Sequence, residues 1–235
     1  MDWSSFLFVD LKKPDFLRIL NPNMKKGKRT EKWVISAVND IYNAEGMNFT
    51  LDQLAAKLGV NRSTITNYFP RKDRLLLAIL AEYERELKTL VEQVNPDESP
   101  TDFFKQVQFY RQALEQMYRY RFVISYMMIN PPADSELMAQ MRATYAANLD
   151  RLQQRIESFC QAGLLEPSIL KPENFRIFRF QYMNLSTTWP ITHRLYEADA
   201  DFDRFKETYL RGVMACFEPF LTEKGARQLK EALAN

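Results

Sequence analysis

Residues 49–72 constrain the fold of this chain most, because they contain two short helical patterns separated by one glycine. The segment is FTLDQLAAKLGVNRSTITNYFPRK. Thr50 followed three residues later by Gln53 is typical of a capping box, in which each side chain binds a backbone amide of the first helical turn. Gly59 stands where a left-handed residue would close the first helix. The pattern therefore predicts two short helices joined by a tight turn.

The apolar residues of this segment predict how the two helices pack. Those of the first helix recur at helical spacing and form one stripe: Leu51, Leu54, Ala55 and Leu58. We expect Ile65 to pack on this stripe, Val60 to fill the crossing and Asn61 to cap the second helix. The second helix then presents a polar, largely uncharged outer face, which suits base edges and phosphates: Arg62, Ser63, Thr64, Thr66, Asn67 and Tyr68.

Positive charge is concentrated around this helical pair. Residues 24–75 carry ten Lys and Arg against five Asp and Glu, a balance of +5, whereas the whole chain carries only +2. The run KKGKR at residues 25–29 precedes the pair, and Lys28 and Arg29 are therefore included among the predicted DNA-binding residues. Three basic residues follow it: Arg71, Lys72 and Arg74. Such clustering is what phosphate binding requires.

The rest of the chain is helical in pattern and predicts an all-α fold. Asn-Pro, Ser-Pro and similar breaks delimit the helices, and no alternating segment of strand length competes with this interpretation. We expect a DNA-binding domain at residues 24–75, joined through a helix at 71–94 to a second helical domain at 95–235. Helices are predicted at residues 33–45, 71–94, 101–119, 122–129, 135–162, 173–196, 202–221 and 224–233.

Residues 1–23 form an extension before these domains. The extension contains the apolar residues Trp3, Phe6, Leu7, Phe8 and Leu11. They predict a segment that packs on the rest of the protein, and the alternative is a disordered arm. It lacks the order of charges and the cleavage site of a signal peptide. Translation from Met24 is a third interpretation.

Several classes of function lack the residues they need. Cys160 and Cys216 are too few and too far apart for a disulfide framework or a zinc site, and His193 is the only histidine. No apolar run reaches the eighteen residues of a membrane span. We therefore expect a cytoplasmic protein with no metal, no cofactor, no membrane contact and no enzymatic activity.

The helical pair and its flanks resemble the DNA-binding domain of the TetR family of bacterial transcriptional regulators. The segments TLDQLAAKLGV and VNRSTITNYFPRKDRLL carry the resemblance, and six residues match the family signature: Thr64, Ile65, Asn67, Tyr68, Phe69 and Lys72. Thr66 departs from it, since the family usually has tyrosine there. The resemblance implies that Thr50 and Tyr68 touch phosphates and that Lys72 anchors the next helix. It places four residues nearest the base edges: Arg62, Ser63, Thr66 and Asn67.

The second half also resembles this family, through the segment MYRYRFVISYMM, Tyr145, Arg151 and the helix ending Ala-Gly-Leu-Leu at 162–165. The resemblance implies an effector cavity between helices, and the alternative is that its aromatic residues only pack in the core. With no acidic cluster, a neutral or aromatic ligand is favoured over a polycation. The predicted pocket residues are Tyr110, Phe122, Tyr126, Met127, Tyr145, Tyr182 and Trp189.

The two last long helices resemble the pair that forms a four-helix bundle in the family's homodimer. Pro190 is expected to kink the first of them. A dimer would place two recognition helices about one DNA turn, roughly 34 Å, apart on a palindromic double-stranded operator. The predicted interface residues are Phe178, Leu185, Tyr209, Gly212, Val213 and Phe217.

The expected function is a repressor released from its operator by a small-molecule effector, with helix 71–94 as the lever. Two alternatives remain on the same fold. One is a ligand-independent DNA-organising protein, and the other is a protein-interaction module without specific DNA binding.

Overall fold

The computed structural model describes residues 26–94, 102–130, 135–197 and 201–234. Within these ranges the chain forms ten α-helices, with short 3-10 turns at Pro167–Leu170 and Glu218–Phe220. The predictions for residues 1–23 lie outside the described part of the chain. The helices are α1 (Lys26–Glu45), α2 (Leu51–Lys57), α3 (Arg62–Thr66), α4 (Lys72–Val94), α5 (Phe103–Arg119), α6 (Arg121–Ile129), α7 (Ser135–Gln161), α8 (Pro172–Tyr196), α9 (Phe202–Ala215) and α10 (Glu223–Ala234).

The all-α prediction is confirmed, and two helix boundaries differ from the expected ones by more than two residues. Helix α1 begins at Lys26 rather than at residue 33, because the basic run at its start is compatible with helix and only Gly27 weakens it. Helix α9 ends at Ala215 rather than at residue 221. Pro219 explains the early end, since it has no amide hydrogen and disfavours helix at the residue before it.

The chain divides into two compact units between Glu82 and Tyr83, within α4. In the first unit, α1 to α3 and the start of α4 contribute the core. Its fully buried side chains include Val34, Val38, Tyr42, Leu54, Ile65, Leu75 and Ile79. These residues recur at helical spacing on each helix, so each helix buries one stripe.

The core of the second unit contains a cluster of aromatic rings. Helix α5 packs against α9 and α10, and α8 packs against α6 and α9. The rings meet edge-on or tilted, with centroids 4.9–6.2 Å apart for Phe103, Phe159 and Phe217, which is the range that aromatic pairs prefer. At Gly225 of α10 an added Cβ would lie 2.0 Å from the carbonyl oxygen of Leu164, so the backbones cross there at a distance that only glycine permits.

Helix α8 continues through Pro190 to Tyr196. Proline cannot donate a hydrogen bond to the carbonyl of Ser186. Three hydroxyls in the preceding turn instead bond to carbonyls four residues earlier, from Ser186, Thr187 and Thr188 at 2.6, 2.7 and 2.7 Å. Back-bonding of this kind often bends helices, and a kink near Pro190 stays a prediction.

Candidate nucleic-acid interface and effector site

The capping box at the start of α2 forms as predicted. The Gln53 amide donates to the Thr50 hydroxyl at 3.2 Å, and the Thr50 amide donates to the Gln53 side-chain oxygen at 2.8 Å. Two amides that α2 could not otherwise satisfy are thereby bonded. The capping box therefore determines the residue at which the first helix of the pair begins.

The turn between α2 and α3 depends on Gly59. Its φ is +62°, in the left-handed region where a side chain is strained. The Val60 amide donates to the Ala55 carbonyl at 3.0 Å, and the Gly59 amide donates to the Ala56 carbonyl at 3.1 Å. This pair of bonds is a Schellman motif, which ends α2 and turns the chain toward α3.

The two helices pack through the predicted stripe. Leu51, Leu54 and Ala55 of α2 are buried, as is Ile65 of α3, whereas Leu58 and Val60 are half-buried. Asn61 is the N-cap residue of α3, but its side chain makes no capping bond. Its carbonyl instead accepts the Thr64 amide at 2.9 Å.

Helix α3 presents a polar face to solvent. Arg62, Ser63 and Asn67 are exposed, and Thr64, Thr66 and Tyr68 are half-buried. Arg62 forms an ion pair with Asp52 at 3.4 Å, and both side chains are more than half exposed, so the pair is weak and easily exchanged. The Thr66 hydroxyl donates to the Arg62 carbonyl at 3.3 Å and keeps its acceptor sites free for another donor. The face therefore offers both donors and acceptors.

Lys72 anchors the start of α4. Its ammonium donates to the Met47 carbonyl and lies 5.8 Å from the centre of the Tyr42 ring. Burial lowers the pKa of Lys72, because the charged form loses water. The two partners precede Lys72 by 25 and 30 residues, so sequence spacing gave no signal for these contacts. Lys28 and Arg29 lie in the first turns of α1.

The predicted effector residues differ in burial. Tyr110, Met127, Tyr182 and Trp189 are buried, and Phe122 and Tyr126 are half-buried. Tyr145 on α7 is 51% exposed. The structure brings Tyr110 and Tyr182 together, whereas the other five are not linked to this pair by any hydrogen bond in the described residues.

The two tyrosines form the centre of a polar cluster inside the second unit. Their hydroxyl oxygens lie 2.5 Å apart, Ser186 Oγ lies 3.1 Å from the Tyr110 hydroxyl, and Gln106 Nε2 donates to the Tyr182 hydroxyl at 3.2 Å. Burial raises the pKa of both tyrosines. Sequence reasoning missed Gln106 and Ser186, although both lie one helical turn from a predicted tyrosine on the same helix face.

His193 lies in a separate aromatic cluster. Its ring is 2% exposed and meets five aromatic side chains edge-on: Tyr118, Trp189, Phe202, Phe205 and Tyr209. Burial first and the charge of Arg121 second lower the pKa of His193, while Glu197 opposes this. The described residues contain no group of His, Cys, Asp and Glu that could hold a metal ion.

The predicted dimer residues lie partly in the core of their own unit. Phe178, Val213 and Phe217 are no more than 1% exposed, so their side chains cannot reach another chain. Tyr209 and Gly212 are half-buried and Leu185 is exposed. Besides Leu185, four other large apolar or aromatic residues of α8 are exposed: Ile177, Phe180, Leu195 and Tyr196. No helix in the described residues is long and apolar enough to cross a membrane.

Comparisons of the sequence with family models identify two matches. Residues 35–79 match the model described as bacterial regulatory proteins, tetR family. Residues 82–229, more than half of the chain, match the TetR model described as bacterial transcriptional repressor. Over 69 residues the chain is 28% identical to the uncharacterized HTH-type transcriptional regulator YvaF of Bacillus subtilis, a match that spans 29% of the chain and 36% of that protein.

Solved structures with the same fold include a TetR-family transcriptional regulator from Marinobacter aquaeolei VT8. It is 19% identical, with a TM-score of 0.73, over 90% of this chain and 98% of that one. AmtR of Mycobacterium smegmatis is 13% identical, with a TM-score of 0.59, over 92% and 95%. SmeT in complex with triclosan is 14% identical, with a TM-score of 0.58, over 83% and 92%.

Proposed function

The chain belongs to the TetR family of bacterial transcriptional regulators, and from this premise we propose that it is a sequence-specific DNA-binding repressor released from its operator by a small-molecule effector. The observation that carries the proposal is the exposed polar face of α3. The capping box before α2 and the turn at Gly59 hold that face on a packed helical pair. A rigid element of this kind can place side chains reproducibly in a major groove.

We propose distinct roles for the residues of this face. Base edges are contacted by Arg62, Ser63, Thr66 and the C-cap residue Asn67, which stand at the positions that the family resemblance places nearest the bases. Phosphates are contacted, directly or with the support of neighbouring residues, by a second set: Thr50, Asn61, Thr64, Tyr68 and the basic residues Lys28, Arg29 and Lys72. Lys72 keeps two of its three donors for a phosphate after bonding to Met47. Thr66 in place of the usual family tyrosine gives this protein an operator preference of its own.

A homodimer on a palindromic operator is the second part of the proposal. The exposed apolar face of α8 supports it, since Ile177 and Phe180 are 59% and 69% exposed in the single chain. Exposed large apolar side chains that recur along one helix face are typical of an interface. Leu185, Tyr209 and Gly212 remain proposed interface residues beside this face, and two-fold symmetry would pair each α8 with its copy.

An effector acting on the second unit is the third part. Helix α4 begins at the Lys72 anchor of the first unit and ends in the second, so a shift of its second half can reach the DNA-binding helices. A coupling free energy of about 1–3 kcal/mol would change operator affinity some five- to 150-fold. The aromatic character of the unit agrees with an aromatic effector, and triclosan in SmeT is an aromatic ligand of a neighbour with the same fold.

Selection of bound fragments from a genomic DNA pool tests the DNA-binding part directly. We expect an enriched palindrome whose half-sites are centred about 10 base pairs apart. A variant with Asn67→Ala and Thr66→Ala serves as the control, because it removes proposed base contacts from an otherwise intact helical pair. Many unrelated sites without a common sequence would indicate a DNA-organising protein instead. Failure to enrich any DNA would contradict the proposal.

A further inference from the structure

The polar cluster in the second unit contains a buried amide that its neighbours do not satisfy. Gln106 is 0% exposed, its Nε2 donates to the Tyr182 hydroxyl, and its Oε1 has no partner among the described residues. Exchanging the two ends of the amide would pair the oxygen with the Tyr182 hydroxyl and leave the nitrogen alone. In either orientation one polar atom of Gln106 is buried without a hydrogen bond, which is costly and unusual in a protein core.

Arg155 of α7 brings a positive charge to the same cluster. Its Nε is buried and unpartnered in the described part of the chain, and its guanidinium lies 5.9 Å from the centre of the Phe109 ring. Burial raises the pKa of Tyr182, and the charge of the nearby Arg155 guanidinium, together with side-chain hydrogen bonds to Tyr110 and Arg155, opposes this. Among the described ion pairs none includes Arg155. A guanidinium held beside buried hydroxyls without a carboxylate favours binding of an anion.

With the Gln106 oxygen turned toward the Tyr182 hydroxyl, the unsatisfied groups of the cluster are donors. The Tyr110 hydroxyl then donates to Tyr182, the Tyr182 hydroxyl donates to Gln106 and the Ser186 hydroxyl donates to the Tyr182 carbonyl, so the Gln106 amide nitrogen and Arg155 Nε remain without an acceptor. A carboxylate brings two acceptor oxygens and a negative charge, so it would satisfy the excess donors and the cation together.

The cluster packs against aromatic rings, and some of the residues around it are partly exposed. Tyr182 stacks on Phe178 with ring centroids 5.3 Å apart and meets Phe217 edge-on at 5.6 Å. Phe109, Arg155 and Ser186 are each half-buried, so the cluster reaches the surface at that side. An acidic group could therefore bind at the cluster while an apolar body remains against Phe109.

We propose that the effector is a small aromatic carboxylate whose acidic group binds Arg155 and Gln106 beside the Tyr110–Tyr182 pair. This assignment rests on the proposed effector function and gives its ligand a chemical class. It keeps the aromatic character that the sequence predicts for the ligand and adds a negative charge, because the structure places Arg155 beside the tyrosine pair.

Matched acids and amides test the assignment by isothermal titration calorimetry on the full chain without DNA. The probes are benzoate, 2-naphthoate and indole-3-acetate, each compared with its primary amide. A charge-assisted hydrogen bond contributes about 1.5–3 kcal/mol, so at least one acid should bind roughly tenfold or more tightly than its amide. Arg155→Gln should abolish this preference, and Arg155→Lys should keep part of it because the charge remains. Arg151→Gln is the matched control, an exposed arginine one turn earlier on α7.

The outcomes separate this assignment from the proposed switch. Equal binding of acid and amide, an unchanged preference in Arg155→Gln, or no binding of any acid at millimolar concentration would overturn the assignment. Thermal unfolding of each variant verifies that it is folded. If Arg155→Gln does not fold, the comparison of acid and amide binding is made with Arg155→Lys. Operator affinity is measured separately by fluorescence anisotropy. An acid that binds through Arg155 without changing operator affinity would contradict effector release and leave the carboxylate site intact.

Discussion

Thr50 and Gln53 determine where α2 begins, because each satisfies the other's backbone amide. The two bonds measure 2.8 and 3.2 Å and lie at the surface, so water can replace either partner when one side chain is removed. The contribution of such a box to stability is therefore modest but local to one helix. A substitution at either residue therefore affects how firmly α3 is held in position, and it leaves the side chains of the polar face of α3 unchanged.

Thr50→Ala should reduce the free energy of unfolding by about 1 kcal/mol, because one amide of the first turn loses its acceptor. Gln53→Ala should reduce the free energy of unfolding by a smaller amount. The double variant should lose less than the sum of the two single losses, since both residues belong to one capping box. Denaturant unfolding of the four proteins measures this coupling. Ser63→Ala, an exposed hydroxyl on α3, is the control and should change stability by less than about 0.5 kcal/mol. Strict additivity would contradict the capping box.

His193 should make the stability of the second unit depend on pH. Its pKa is lowered in the folded chain by burial and by Arg121, with Glu197 acting in the opposite direction. The unfolded chain therefore binds the proton more readily, so stability is full above the unfolded pKa of about 6.5 and falls as pH decreases below it. Because His193 is the only histidine of the chain, replacing it should selectively reduce the pH dependence of stability below pH 6.5.

The measurement is the free energy of unfolding between pH 7.5 and pH 5.5 for the native chain and for His193→Gln. The native chain should lose stability across this interval, and the variant should lose much less. The comparison uses the slope rather than the absolute stability, so a general cost of the substitution does not affect it. Identical slopes would show that His193 is not the responsible group.

At the scale of elements, α8 is apolar on two faces. One face carries Phe178, Tyr182 and Trp189 into the core, and the other exposes Ile177 and Phe180. A second apolar face on one helix is typical of an element that also packs against a partner on that side. The core accounts for the first face, and the proposed partner copy would account for the second.

Phe180→Asp should convert the proposed dimer into a monomer, because a carboxylate would be buried against the apolar face of the second copy. Analytical ultracentrifugation over a range of concentrations measures the change. Phe104→Asp is the matched control, since Phe104 is also partly exposed, at 41%, but lies on α5. If both variants sediment like the native chain, α8 is not the interface.

At the scale of the whole molecule, DNA affinity combines base contacts with phosphate contacts. Asn67→Ala should weaken binding to the selected operator by about 1–3 kcal/mol and leave binding to random DNA unchanged. Lys72→Gln should weaken binding to all DNA alike and reduce the salt slope by about one. Fluorescence anisotropy at several salt concentrations measures both, and a parallel unfolding curve corrects for the lost Met47 bond. The same loss on every DNA for both variants would contradict the assigned roles.

Most of the fold could be predicted because its signals are local. The capping box, the left-handed Gly59 and the proline breaks each act within a few residues, so the sequence pattern contains them directly. The early end of α9 differs from the predicted one because the apolar spacing of this helix continues past Pro219 to residue 221, whereas the helix itself ends at Ala215. Within the candidate site, the predicted Tyr110 and Tyr182 meet, whereas Gln106, Ser186 and Arg155 were found only in the structure.

By itself the sequence determined that this protein is all-α, where its helix-turn-helix lies and which family it resembles. These properties follow from helix caps, glycine turns and periodicity, which depend on neighbours along the chain. Only the tertiary structure decided which apolar stripe of α8 is core and which is exposed, and that Arg155 joins a buried tyrosine pair. Tyr182 contacts Arg155, Tyr110 and Gln106, which precede it by 27 to 76 residues, and such contacts depend on how the helices pack. Helical periodicity predicts which face of a helix is apolar, but it does not predict which helix that face packs against.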